Sequence, residues 1–195
     1  MISDKHVPEA VVDRSRALQT RVLAGPPLLT AMSPQRLFTT MRTHLTKAAE
    51  DGRLKTSFAN VMAQLRLAPQ GEEFTIYGAR LESANFKRSR AEPHFLRQDG
   101  AWFDFMVTGR GTAGRGLEIL AYSCEIRFPD ELLTFPRFVR FDLNPPGHAN
   151  ESAAMRCHMH PGHNDLQVVA PFIGPLEILD LCIHGLTWPA KQRSI

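Results

Sequence analysis

The chain has 195 residues, 43% of them hydrophobic, which is enough for one sizeable core in a single domain spanning residues 1–195. Lys and Arg outnumber Asp and Glu by 23 to 20, a net charge of +3 that permits contact with nucleic acid without arguing for it. No apolar run reaches membrane-spanning length, and Asp4, Glu9 and Asp13 interrupt the stretch where a secretory signal would be apolar, so a soluble cytoplasmic protein with no membrane partner is expected.

The first elements read as helices. Val11, Val12, Leu18 and Val22 recur at helical intervals from Glu9 to Leu23, before Gly25-Pro26-Pro27 breaks the pattern. Ser33 then offers a helix cap with Pro34 at the first position, where a missing N–H is no loss. Leu37, Met41, Leu45 and Ala48 form one stripe behind it, and Gly52 ends the helix. A third helix is expected from Ser57 to Leu67, burying Phe58, Val61, Met62 and Leu65.

After Gly71 the period changes to two. Phe74 to Leu81 reads as a strand, and His94 to Gln98 and Trp102 to Val107 flank Asp99-Gly100 as a hairpin. The glycine-rich stretch from Gly109 to Gly116 lacks the Lys-Ser/Thr ending of a phosphate-binding loop and reads as a hairpin connection. Leu117 to Phe128 is a long strand with Leu120, Tyr122, Cys124, Ile126 and Phe128 on one face and Ser123, Glu125 and Arg127 on the other. Phe138 to Leu143 and Ala154 to His160 complete the strands, and a helix follows Gly174-Pro175 and stops at Gly185. The fold class is therefore α+β: N-terminal helices over residues 1–70, then an antiparallel meander and a C-terminal helix over residues 71–195. Cys124, Cys157 and Cys182 have neither disulfide-framework nor zinc-knuckle spacing and read as buried, reduced thiols.

Chemistry concentrates near the C-terminus, where five of the eight histidines fall between His148 and His184. Alternation in FVRFDL sends Val139, Phe141 and Leu143 one way and Arg140 and Asp142 the other. In MRCHMH it sends Met155, Cys157 and Met159 one way and Arg156, His158 and His160 the other. If the two strands are neighbours, Arg140, Asp142, Arg156, His158 and His160 share a polar patch. Two imidazoles that titrate near neutrality, an aspartate to fix a tautomer and arginines to hold phosphate are the parts of a metal-independent RNA phosphodiesterase. In that reading His158, His160 and Asp142 are catalytic, and Arg140, Arg156 and His148 bind substrate, with no cofactor.

Two alternatives remain open from the residues alone. One is a divalent-metal site, such as zinc, on His158 and His160 with His148 as third ligand, or His163 or Asp165 in its place, serving a hydrolase or oxygenase. The other is a non-catalytic interaction module for protein or nucleic acid, forming a homodimer or a complex. The cations Lys87, Arg88, Arg90, Arg97, Arg110 and Arg115 are either solvated loop charges or part of a phosphate-facing patch. Glu177, Asp180 and His184 read as the solvated stripe of the final helix, and Trp102 and Tyr122 as sheet or core aromatics.

The segment FVRFDLNPPGHANESAAMRCHMHPGHNDL, followed by PLEILDLCI, resembles the TumE-like bacterial toxins of toxin–antitoxin systems and related families, through Arg140, Phe141, Asp142, Pro146, His148, His158 and His160. The resemblance covers about a quarter of the chain. It implies a toxin-like protein acting on RNA and held in check by an inhibitory protein partner. This chain departs from the group in having HMH where a longer histidine run is usual, and in its large helical N-terminal part.

Overall fold

The computed structural model describes residues 28–29, 32–79, 88–112, 116–130, 136–152 and 155–186. The helix expected from Glu9 to Leu23 lies outside them, as do Lys87 and Arg115. Helix α1 spans Pro34–Glu50 and α2 spans Phe58–Gln64. Nine strands follow or precede them in chain order: β1 (Leu28–Leu29), β2 (Leu65–Gln70), β3 (Glu73–Gly78), β4 (Phe95–Leu96), β5 (Trp102–Thr112), β6 (Gly116–Arg127), β7 (Phe138–Leu143), β8 (Cys157–Pro161) and β9 (Val168–Val169). Helix α3 (Pro175–Asp180) runs on into a π-helical turn at Leu181–Gly185. The fold is α+β, with N-terminal helices, an antiparallel meander and a C-terminal helix.

The strands form one sheet in the order β2-β3-β5-β6-β7-β8-β9. β6 is long enough for β7 to occupy its Tyr122–Arg127 half while β1 pairs with Leu117 and Glu118 at the other end. Ser33 caps α1 as expected, its side chain accepting from the Arg36 amide, and Leu37, Met41, Leu45 and Ala48 all lie buried. They pack with Phe103, Phe105, Cys124, Ile178, Leu179 and Cys182 in one apolar cluster on one side of the sheet.

Two expectations are corrected here. The third helix stops at Gln64, and Leu65–Gln70 is instead a strand paired with β3 through a turn at Gly71, whose φ is +66°. Val61 and Leu65 are buried as expected, but Phe58 and Met62 are 54% and 41% exposed. The second correction concerns β6. The register between β5 and β6 shifts at Thr108/Gly109, so Leu117 and Ile119 join the core cluster and Leu120 does not. A bulge reverses the inside–outside alternation, which a period of two read straight through cannot anticipate.

Candidate metal centre

The apolar side of the sheet faces the helices. Its other side carries a run of charge through β5, β6, β7 and β8. Register places Asp104, Glu125, Arg140 and His160 in one cross-strand row, and Ser123, Asp142 and His158 in the next. The strand pairing that was conditional in the sequence is thus realised: Asp142 sits opposite His158 and Arg140 opposite His160. Side chains in such rows lie within reach of each other because neighbouring strands are about 5 Å apart.

Three guanidinium groups and three carboxylates alternate across this face. Arg88 donates to Asp104 at 2.7 and 2.9 Å and to Glu125 at 2.6 Å. Glu125, 1% exposed, also accepts from Arg127 at 2.6 Å and Arg140 at 3.5 Å. Arg140 donates to Asp142 at 2.8 Å and to Asn164 at 2.9 Å. Arg127 lies between the rings of Trp102 and Phe138, 5.6 and 5.1 Å from their centroids. Burial works against the Arg88 charge, yet Asp104 and Glu125 hold its pKa above the ordinary arginine value. Such pairing is what allows charges to be buried at all.

At the far end of this network three donor atoms converge. His158 Nε2 and His160 Nε2 are 3.0 Å apart, and Asp142 Oδ2 is 3.7 Å from the first and 3.3 Å from the second. A tetrahedral ion with bonds of about 2.05 Å to nitrogen and oxygen has ligand–ligand edges of about 3.3 Å, the middle of these three values. The histidine side chains are 2% and 3% exposed and that of Asp142 13%.

Proton placement sharpens the point. His158 Nδ1 lies 2.7 Å from the Met155 carbonyl, which can only accept, so this nitrogen carries the proton and Nε2 presents a lone pair. Burial pushes the His158 imidazole below its usual pKa, against the opposing pull of Asp142, and so favours the neutral ring. Burial alone would raise the Asp142 carboxyl. The hydrogen bond from His160, the Arg140 charge and Ser123 outweigh it and bring the pKa down to about 2. An ionised carboxylate and a lone pair on His158 therefore meet at one point with at most one proton, on His160, between them. His160 Nδ1 is buried with no hydrogen-bond partner among the described residues. This is an electron-rich pocket suited to a cation. Its backbone-anchored His158 has the outer-shell support usual for a metal-binding imidazole.

The metal-independent RNA cleavage expected from the sequence is corrected by this geometry. Its two proposed proton-transfer groups are buried and point with Asp142 at a common centre able to hold a metal ion. The cations assigned to phosphate are engaged internally. Arg140 lies in the ion-pair network, and Arg156 donates to the Asn144 and Leu120 carbonyls at 2.9 and 3.0 Å. The side chains that come together are those of Asp142, His158 and His160, a group that could hold a metal ion, and His148 is not among them. His148 is exposed and caps a short 3-10 turn, accepting from the Asn150 amide, while His163 pairs with its neighbour Asp165 at the surface.

Other charges also found partners. Arg97, 4% exposed, pairs with Asp99 and donates to the Cys182 and Leu186 carbonyls, so it is neither solvated nor phosphate-facing. Arg90 donates to the Gly100 carbonyl and Arg110 to Glu118. Asp180 accepts from or shares a proton with His44 at 3.1 Å, and His184 stays exposed.

Arg88, read from the sequence as a solvated loop charge or part of a phosphate-facing patch, is instead buried between Asp104 and Glu125, two carboxylates that the sequence reading leaves out of the site. Asp104 had a signal, a lone carboxylate amid the aromatics of WFDFMV, and Glu125 stood on the polar face of β6. Among the described residues no helix is long and apolar enough to cross a membrane. No family model, curated protein or solved structure matches the chain.

Proposed function

We propose that this protein is a metal-dependent hydrolase built around one divalent first-row ion held by Asp142, His158 and His160. The observation that carries the reading is the triangle of donor atoms with edges of 3.0, 3.3 and 3.7 Å, which bracket the edge of about 3.3 Å around a tetrahedral ion. Asp142, His158 and His160 would hold the ion, and a divalent ion there would supply Lewis acidity toward water or a carbonyl or phosphoryl oxygen. The chain's own residues do the rest. Met155 fixes the His158 tautomer, Arg140 orients Asp142 through Nε, and Glu125 holds Arg140 in turn. Asp142 has the most solvent contact of the three, so substrate would reach the site from its side. Two imidazoles and one carboxylate are also the ligand set of non-haem iron oxygenases, and this donor set favours iron as the second reading.

The experiment is to strip the protein with a chelator, reload it separately with zinc, manganese and iron(II), and assay a panel of carboxylic and phosphoric ester substrates. Hydrolysis restored by metal and abolished in Asp142→Asn supports the proposal. Turnover that persists in stripped protein, or metal-loaded protein inert toward the whole panel, contradicts it. Dioxygen consumption by the iron form alone selects the second reading.

A further inference from the structure

Cys124 and Cys182, 58 residues apart in sequence, meet in the core with their sulfur atoms 3.2 Å apart. Each is placed by structure that does not depend on the other. Cys124 lies inside β6, paired to Phe105 on one side and Phe141 on the other, and is 2% exposed. Cys182 is fully buried in the π-helical turn after α3. Ile178 and Leu179 seat that helix on the core, and Arg97 Nη1 fastens its end by donating to the carbonyls of Cys182 at 2.9 Å and Leu186 at 2.8 Å. A disulfide has a sulfur–sulfur bond of about 2.04 Å, so closure requires the two atoms to approach by about 1.2 Å. Met41, Phe105, Tyr122 and Leu179 surround Cys124 with apolar side chains and leave only a small gap beside it.

We propose that Cys124 and Cys182 are a redox pair whose oxidation links β6 covalently to the C-terminal helix, with a small disulfide such as oxidised glutathione as the oxidant. One protein thiol attacks the glutathione disulfide and releases one glutathione thiol, leaving a mixed disulfide. The second protein thiol displaces the other glutathione. One S–S bond breaks and one forms, the two protein sulfurs are oxidised, and the two thiol protons leave on two reduced glutathiones. The hydrogen bond to Cys182 and burial push the Cys124 thiol well above its usual pKa, which holds the pair in the thiol form and slows exchange in the folded chain. Cys157 is the internal control: its sulfur lies against the Pro171 carbonyl and the Tyr122 hydroxyl, with no second sulfur beside it among the described residues.

The test is to unfold the reduced full-length chain, refold it in a glutathione redox buffer so that burial does not limit access, and trap free thiols by alkylation. The proposal expects a chain lighter by two hydrogens before labelling, alkylated once, at Cys157, with the Cys124 and Cys182 peptides recovered joined. Its melting temperature should rise by about 5–10 °C and return on reduction. Cys157→Ser, oxidised in parallel, should keep the link and the shift, whereas Cys182→Ala should lose both. Three alkylated thiols, stable glutathione adducts, a link to Cys157, or an oxidised form that melts lower than the reduced one would each overturn it.

Discussion

His158 and His160 are two positions apart on β8, so the pleat turns both imidazoles to one side, where Asp142 meets them from β7. What separates this trio from an ordinary polar row is its shortage of protons, and that has consequences for the metal-free protein. The Asp142 pKa is about 2 in the fold against about 3.9 in an unfolded chain. A carboxyl with a depressed folded pKa contributes stability that is present above about pH 4 and is lost as pH falls toward 2, here roughly 2 kcal/mol. His158 acts in the same direction from a higher pH. Its folded pKa is lowered, so its contribution is complete above about 6.5 and declines as pH falls below that value. Urea midpoints of metal-free protein should therefore fall in two stages between pH 8 and 2, and Asp142→Asn should lack the lower one. A midpoint flat from pH 7 to 5 would contradict a buried neutral His158. Next along the row, Glu125 neutralises guanidinium groups on three sides. Glu125→Ala should lower unfolding stability by about 3–5 kcal/mol in urea titration, since it strands buried positive charge.

β6 links the two faces of the sheet: its Tyr122, Cys124 and Ile126 fill the core, while Ser123 and Glu125 support the ligand row behind it. The change of register at Gly109 sets where that alternation begins. A Cβ on Gly109 would stand 2.7 Å from the Glu118 carbonyl oxygen and 2.9 Å from the Phe74 ring, and backbone cannot step aside. Gly109→Ala should accordingly cost about 1–3 kcal/mol, read as a lowered urea midpoint with an unchanged slope. Much of this scale was legible in the sequence. The Ser33-Pro34 cap, the α1 stripe, the Asp99-Gly100 turn and the shared face of Arg140, Asp142, His158 and His160 all follow from local periodicity and turn chemistry. β2 was not legible, because Leu65 to Gln70 gains its strand character by pairing with β3, a tertiary effect that overrides local preference. The bulge had no period to betray it. In the sequence Asp142 reads as the aspartate that fixes a histidine tautomer. Only the distances among three atoms on two strands show its carboxylate converging with both imidazoles, while Arg156, placed on the same face by alternation, turns to backbone carbonyls instead.

At the scale of the whole molecule the sheet separates two kinds of cohesion. On one side apolar helices cover it, and on the other a buried lattice of ion pairs ends at a pocket of unshared electron pairs. An ion there would tie β7 to β8 and stabilise the native state by mass action, by about 2.7 kcal/mol at a concentration one hundred times the dissociation constant. Added zinc should therefore raise the melting temperature of the stripped protein and leave that of Asp142→Asn unmoved. The most direct measurement is cobalt(II) titration of tag-free, stripped protein, followed by its visible ligand-field absorption, in the unaltered chain and in Asp142→Asn and His160→Ala. The account predicts saturation at one equivalent with the intense bands of a four-coordinate ion, displaced by zinc and absent from both variants, each still folded by circular dichroism. Saturable binding that survives in both variants, or none in the unaltered chain, would contradict a metal centre at Asp142, His158 and His160.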